Sequence, residues 1–270
     1  MTPGPEVVFP QPLDTASSEL RLVRHGLELV GASISALATA FVVAEHATAV
    51  DMGRCSALLA AQGTVLLTHC HSDHVAGLVA WLSAHTRRHQ GEPTRVFVPA
   101  ERRDQLLAAL EIWPDLDGVR RRVDLGQVVM PARPGNRLEL ANNGWARAFE
   151  VHHSVPSVGW AVGKRGSSRP DFVFAGDGTV LPFQDDPSVL DARVAVVDCS
   201  FVDDGTRVAA RLGGHGHVQD WLHIHPMLPC DTLVLAHLPP DARADRLRSM
   251  LDGIDGGGPM IVPWLGLSDP

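Results

Sequence analysis

The chain has 270 residues and a formal net charge of −8. This acidic balance disfavours broad contact with a nucleic-acid backbone, because such binding is mainly electrostatic. The four cysteines form no CxxC pair and predict reduced thiols in a cytoplasmic protein rather than a disulfide framework. No signal peptide is visible, and the longest apolar stretch, residues 30–43, is too short to span a bilayer, so we expect no membrane association.

Residues 1–18 are rich in Pro, Ser and Thr and predict an irregular lead-in. Further along the chain, short apolar runs predict strands, and longer stretches with helical spacing predict helices. The predicted strands cover residues 27–30, 40–43, 47–50, 65–67, 95–99, 171–175, 193–197 and 232–236, with turns at Gly31-Ala32 and Glu45-His46 and further strands between residues 120 and 149. The predicted helices cover residues 75–88, 102–113 and 239–251, the last opened by Pro239-Pro240, since proline is tolerated in a first turn.

This order of elements predicts an α/β protein in which helices cover sheets. The sequence shows no internal repeat, low-complexity linker or charge block. The glycine run at residues 256–258 is interpreted as a loop rather than a boundary. We therefore predict a single domain over residues 1–270.

Four side chains of metal-ligand type fall within six positions, directly after the predicted strand at residues 65–67. They are His69, His71, Asp73 and His74. Imidazoles and carboxylates suit zinc and similar divalent ions. A His-rich surface loop would be the alternative, but the buried strand before the segment and the apolar helix after it favour a metal site.

One segment cannot complete a metal site, so we expect further ligands at the ends of distant strands. The candidates are the pair His152-His153, Asp177 in a Gly-Asp-Gly turn, and His237. Each has a structural alternative, since His237 could be a core histidine and the glycines around Asp177 favour a tight turn. Together, however, they supply two sets of ligands and one bridging carboxylate, which is what two ions require.

In this order, the motifs resemble the metallo-β-lactamase fold and, more narrowly, its ribonuclease Z-like branch. The resemblance extends from about Leu27 to Leu251 and includes segments 51–55 (DMGRC), 69–74 (HCHSDH), 153–160 (HSVPSVGW), 174–177 (FAGD), 197–204 (VDCSFVDD), 214–217 (GHGH) and 235–237 (LAH). It implies an αββα sandwich of two mixed sheets flanked by helices. It also implies two divalent ions, Zn²⁺ or alternatively Mn²⁺ or Fe.

The resemblance implies the ligand sets as well. His69, His71 and His153 would hold one ion, Asp73, His74 and His237 the other, and Asp177 would bridge them. His153 is preferred to His152 because of its spacing to Gly159-Trp160. A water between the ions would be the nucleophile, and Asp73 would also orient it.

Asp198 and His217 are predicted to protonate the leaving oxygen, with Asp198 in the place of a family glutamate. A carboxylate that holds an imidazole in one tautomer suits a general acid. A structural alternative remains, in which Asp198 merely ends a strand. His215, His223 and His225 are interpreted as surface or structural histidines.

The sequence departs from ribonuclease Z in two places. The interval between residues 161 and 174 has no room for the arm that grips tRNA, and the late family motif is changed to HLPPDAR at residues 237–243. We therefore expect a phosphodiesterase acting on a small-molecule or short nucleotide substrate, with tRNA disfavoured. An ester, thioester or lactone hydrolase, a tRNA 3′-processing endonuclease and a non-catalytic binding subunit are the alternatives. A homodimer is a further expectation from the fold.

Overall fold

Strands of the first half of the chain form one mixed sheet. In the computed structural model, which describes residues 6–13, 19–88, 94–117, 123–252 and 257–265, this sheet has eight strands in sequential order. The strands are β1 (Gln11–Pro12), β2 (Leu20–Arg24), β3 (Leu27–Ile34), β4 (Ala38–Val43), β5 (Thr48–Val50), β6 (Thr64–Leu66), β7 (Arg95–Pro99) and β8 (Val129–Ala132). Strands β1 to β5 pair antiparallel, whereas β5 to β8 pair parallel.

The second half of the chain forms a second mixed sheet with the same change of direction. Its described strands are β9 (Arg137–Glu139), β10 (Gly144–Glu150), β11 (Val158–Lys164), β12 (Phe172–Phe174), β13 (Val194–Asp198), β14 (Thr232–Ala236) and β15 (Met260–Pro263). Strands β9 to β12 are antiparallel and β12 to β15 are parallel. In both sheets, therefore, the carboxyl ends of parallel strands meet at a common edge.

Helices cover the outer face of each sheet. Those of the first half are α1 (Ala57–Ala60), α2 (Ser72–Val75), α3 (Leu78–Arg88), α4 (Arg103–Asp117) and α5 (Leu125–Val128); those of the second half are α6 (Leu181–Asp185), α7 (Arg207–Gly213), α8 (Val218–Ile224) and α9 (Ala244–Leu251). Among the described residues, no helix combines the length and apolar character needed to cross a membrane.

Alternation along the strands distributes apolar side chains to three cores: one lies between the two sheets, and one lies under the helices on the outer face of each sheet. Val194 and Val196 pack between the two sheets, whereas Ala195 and Val197 face the helices of the second half. The same period of two places Leu66 between the sheets, because successive side chains of a strand point to opposite faces. The predicted αββα sandwich of two mixed sheets flanked by helices is confirmed.

The helix predicted over residues 75–88 begins at Leu78, and the one predicted over residues 102–113 covers Arg103–Asp117. Three further predicted boundaries are wrong. Strand β3 continues through Gly31 and Ala32, and the turn falls at residues 35–37 instead. A side chain at position 31 would clash, since an added Cβ would lie 2.2 Å from the carbonyl oxygen of Ala40 on β4, so glycine serves close strand packing here rather than a turn.

The other two errors concern a helix start and the lead-in. Helix α9 begins at Ala244 rather than at Pro239-Pro240, because residues 238–243 form a turn before it. In the lead-in, Gln11–Pro12 pairs with β2 as an edge strand, and Val7 bridges to Ile261 of β15. Residues 1–5 and 14–18 lie outside the described part of the chain.

Candidate metal centre

The candidate ligands gather where the parallel strands of both sheets end. His69 follows β6, Asp177 follows β12, and His237 follows β14 directly. Polar groups at carboxyl ends of parallel strands converge because neighbouring strands end at the same edge of the sheet. In this way, candidate ligands as far apart in the sequence as His69 and His237 come to lie in one cluster.

One group of donors consists of three histidines and a carboxylate. His69 Nε2 lies 3.1 Å from His71 Nδ1, and His153 Nε2 lies 3.3 Å from the same His71 atom. Asp177 Oδ2 lies 3.7 Å from His69 Nε2. One donor atom from each of the four residues lies within 4.8 Å of the others. His152, by contrast, is exposed and contributes no donor to this group.

A second group of donors lies on the other side of Asp177. His74 Nε2 is 3.4 Å from His237 Nε2 and 3.3 Å from Asp177 Oδ1. Asp73 Oδ2 is 3.0 Å from His237 Nε2 and 3.6 Å from His74 Nε2. Because Oδ1 of Asp177 faces this group while Oδ2 also faces His69, Asp177 has the geometry of a bridging carboxylate.

The spacing of the nitrogens fits divalent ions. A tetrahedral ion with metal–nitrogen distances of about 2.0–2.1 Å holds two nitrogen ligands about 3.3–3.4 Å apart. The nitrogen pairs described above lie 3.1–3.4 Å apart. The seven residues proposed from the sequence as metal ligands are thus brought together, with His69, His71, His153 and Asp177 in one group and Asp73, His74 and His237 in another. Asp177 also belongs to a third group with Asp198, His215 and His237, and donors of these types bind divalent ions.

Buried hydrogen bonds orient the ligands from behind. Asp51 Oδ2 accepts a hydrogen bond from His74 Nδ1 at 2.8 Å, which leaves the lone pair of Nε2 for an ion. Asp51 also accepts from the backbone and hydroxyl of Thr68, next to His69. On the other side, His153 Nδ1 donates to the carbonyl of Gly214 at 2.9 Å. Such outer contacts fix the tautomer of ligating histidines.

Two site residues occupy strained backbone conformations. Asp51 has a φ of 58° and His237 a φ of 56°, which lie in the left-handed region that residues with a Cβ rarely adopt. Strain of this kind costs about 1–3 kcal/mol and persists where the surroundings hold it in place. For His237, the backbone N–H donates to Ser33 Oγ at 2.9 Å, which fixes the strained position.

The electrostatics of the centre favour cations. Burial alone would lower the pKa of His237, but the neighbouring carboxylates, chiefly Asp177 and Asp198, raise that pKa to about 10. Burial alone would raise the pKa of Asp73, but His237 and His74 lower it to about 2. The pKa of His69 is held well below its ordinary value by burial and by the adjacent imidazoles, which favours a neutral ring.

Asp198, at the end of β13, lies beside the second group of donors. Its Oδ2 accepts from His215 Nδ1 at 2.7 Å and from two backbone N–H groups, those of Gly178 and Gly216. Burial would raise the pKa of Asp198, but the hydrogen bond from His215 and the nearby ring of His237, 3.7 Å away, hold the pKa far below its ordinary value. Asp198 is therefore an ionised acceptor.

The predicted pairing of Asp198 with His217 is wrong, and His215 takes that place. His217 begins α8 instead: its Nδ1 accepts from the N–H of Gln219 at 3.1 Å, and its Nε2 contacts the carbonyl oxygen of Asp203. Gly216 packs so closely that an added Cβ would lie 2.0 Å from the Asp198 carbonyl oxygen, and this contact directs residue 215 toward the carboxylate.

His215, interpreted from the sequence as structural, stands between the two ligand groups. Its ring lies 5.8 Å from the His237 ring and nearly parallel to it, and 5.1 Å from the His153 ring. Its side chain retains 21% exposure, so it can meet a bound molecule. The available signal was the doubled Gly-His-Gly-His motif, whose two histidines have the same spacing to glycine and cannot be told apart without the register of the following helix.

The fold and the site together define a protein of the metallo-β-lactamase type. A family model described as "Beta-lactamase superfamily domain" matches residues 43–238, which is more than half of the chain. The chain belongs to this β-lactamase superfamily domain family. It is accordingly a hydrolase of the metallo-β-lactamase fold with ribonuclease Z-like homologues.

Similar proteins agree with this assignment. "tRNase Z TRZ2, chloroplastic" from Arabidopsis thaliana is 25% identical over 262 residues, covering 83% of this chain and 72% of the relative. The metallo-β-lactamase fold protein YhfI from Bacillus subtilis superposes with a TM-score of 0.63 at 16% identity, over 87% of this chain and 95% of YhfI. Human tRNase Z, short form, superposes with a TM-score of 0.57 at 18% identity, over 88% and 91% of the two chains. At these identities, the structural neighbours establish the fold alone.

Proposed function

We propose that this protein is a binuclear metal-dependent phosphodiesterase that acts on a substrate smaller than tRNA. The observation that carries the proposal is the position of the Asp198–His215 pair beside two donor groups joined by Asp177. Metal ions of the zinc, manganese or iron type, when bound there, would polarise a phosphoryl oxygen and make a water nucleophilic near neutral pH.

The ligands divide between two ions in this proposal. His69, His71 and His153 would hold one, and Asp73, His74 and His237 the other, with Asp177 between them. Asp73 would have a second role, the orientation of the attacking water.

His215 would act as the general acid. Its Nδ1 donates to Asp198, so the imidazole is held in one orientation and its Nε2 is available to protonate a leaving oxygen. A leaving alkoxide benefits strongly from such a proton, whereas a thiolate leaves without one, so the pair favours a phosphodiester over a thioester. The names of the tRNase Z relatives, which denote cleavage of RNA, agree in bond type.

Two features favour a small substrate. Strand β11 connects to β12 through residues 165–171, so the described hairpin contains no protruding arm. The net charge of −8 also disfavours a long phosphate backbone, because binding to such a backbone is mainly electrostatic.

The test is hydrolysis of bis(p-nitrophenyl) phosphate by protein loaded with zinc or manganese. We expect turnover that is abolished by a chelator and by Asp177→Asn. Parallel assays with a thioester, a lactone and a precursor tRNA distinguish the alternatives. Turnover of a thioester or lactone without turnover of the phosphodiester would refute the bond type, and efficient release of a tRNA 3′ trailer would refute the size limit.

A further inference from the structure

Ser200 connects the second ligand group to the Asp198–His215 pair. Its Oγ lies 2.8 Å from His237 Nδ1, 2.5 Å from Asp198 Oδ1 and 3.2 Å from His215 Nδ1. The serine is only 8% exposed, so bulk water has little access to these contacts. No other described side chain contacts both His237 Nδ1 and Asp198 Oδ1 within hydrogen-bonding distance.

The direction of the hydrogen bonds follows from the chemistry of the partners. Asp198 is surrounded by donors, so its Oδ1 must accept the hydroxyl proton of Ser200. The lone pairs of Ser200 Oγ then accept the N–H of His237 Nδ1. This arrangement leaves Nε2 of His237 with its lone pair directed at the second group of donors.

The backbone places the hydroxyl for this task. Asp198 Oδ1 accepts the N–H of Ser200 at 2.8 Å, a local turn in which a side chain binds the backbone two residues on. This contact holds the carboxylate and the hydroxyl in a fixed relation. Consequently, one residue determines both the tautomer of a metal ligand and the rotamer of the carboxylate that holds His215.

We propose that Ser200 is a positioning residue that couples the second metal site to the general acid through the chain His237–Ser200–Asp198–His215. The proposal rests on the function proposed above and deepens it. It assigns to one hydroxyl both the affinity for one of the two ions and the orientation of the proton donor. Ser200 touches neither the substrate nor the ions in this role.

The first experiment measures metal binding, which does not depend on any substrate. Ser200→Ala and Ser200→Thr are compared with the parent protein in competition with a zinc chelator. We expect the alanine variant to bind one of two ions about 10- to 100-fold more weakly, the usual effect of losing an outer hydrogen bond to a ligand. The threonine variant keeps the hydroxyl and should bind within about twofold of the parent.

Ser157→Ala is the matched control. Ser157 follows the candidate ligand His153 by four residues, and its hydroxyl donates to the backbone carbonyl of Val155 rather than to the ring of a candidate ligand. We expect unchanged metal affinity for this variant. Equal losses for Ser157→Ala and Ser200→Ala would reduce Ser200 to a structural role and overturn the proposal.

The second experiment measures coupling to the general acid. Under saturating metal, Ser200→Ala should lower kcat more for a phosphodiester with an alkyl leaving group than for one with p-nitrophenol, whose anion leaves without a proton. KM should change little for either. Equal loss for both leaving groups would overturn the coupling, as would unchanged kcat for both.

The two proposals fail in different ways. If the parent protein cleaves no phosphodiester, the proposed function fails, but the metal-binding comparison still decides the role of Ser200 at His237. If Ser200→Ala does not fold, Ser200→Cys provides the measurement, because a thiol is similar in size and a weak hydrogen-bond partner. Parent-like metal affinity in Ser200→Cys would then count against the proposal.

Discussion

His215 and His217 have the same residue type and nearly the same position, yet the structure gives them different contacts. We expect His215→Ala to lower kcat on an alkyl phosphodiester by about 10²- to 10⁴-fold, the usual contribution of general acid catalysis. The side chain is partly exposed, so the thermal unfolding temperature should change little. With p-nitrophenol as the leaving group, the loss should be much smaller, since that anion needs no proton.

His217→Ala should have the opposite profile. The imidazole is 1% exposed and caps the first turn of α8 by accepting the N–H of Gln219. Loss of a cap costs about 0.5–2 kcal/mol, and the cavity left by a buried ring adds to this cost. We therefore expect lower stability, with kcat per folded, metal-loaded chain within a few-fold of the parent.

His217→Asn separates the cap from the ring. Asparagine is a favoured N-cap residue, so it should recover part of the lost stability. The measurements are thermal unfolding followed by circular dichroism and steady-state kinetics at full metal occupancy with both leaving groups. A leaving-group-dependent loss of kcat in His217→Ala, together with parent-like kinetics in His215→Ala, would refute the assignment of the general acid.

Three further predictions concern stability. Metal removal by a chelator should lower the unfolding temperature, because an ion that binds only the folded state stabilises it by about 2.7 kcal/mol at a concentration 100 times its Kd; an unchanged melting curve after verified removal would contradict a bound ion. Asp220→Asn should cost about 1–3 kcal/mol near pH 7, because Arg207 and Arg211 bind the carboxylate, and should cost little in acid. The sign follows from the pKa of Asp220: burial alone would raise it, the arginines lower it, and its stabilisation is present above the unfolded-state pKa and lost as the pH falls through the folded one. Equal losses in acid and at neutral pH would exclude an ionic contribution. Gly31→Ala should lower stability by about 1–3 kcal/mol through the contact of the new Cβ with the Ala40 carbonyl on β4; chemical denaturation measures this loss, and a parent-like midpoint would contradict the close strand packing.

The candidate ligands could be predicted because their residue types are informative by themselves. His69, His71 and His74 follow a short buried strand, and few structural roles require so many imidazoles in one turn. The distant ligands His153 and His237 lie at strand ends that hydrophobic patterns locate well. The αββα sandwich could likewise be predicted, since runs of apolar residues indicate the strands whose ends carry the candidate ligands.

The proposed general acid, His215, could not be predicted because the choice between it and His217 depends on a shift of two residues. Strand and helix patterns do not say whether residue 215 or residue 217 meets the carboxylate of Asp198. That choice is made by the close packing of Gly216 on β13 and by the start of α8 at His217. Gly31 misled the sequence interpretation for a similar reason, because close backbone approach and a tight turn both require glycine.

The arrangement of the second sheet provides a structural basis for the coupling that we propose between metal binding and proton transfer. Strands β13 and β14 are parallel neighbours in which Asp198 pairs with Ala236, so the residues that follow them, Ser200 and His237, emerge side by side. A ligand on one strand and a carboxylate on the next can then share a single hydroxyl between them. Had the strands been antiparallel, these two ends would lie at opposite edges of the sheet. The parallel pairing is therefore what allows Ser200 to contact both His237, a proposed metal ligand, and Asp198, the partner of the proposed general acid.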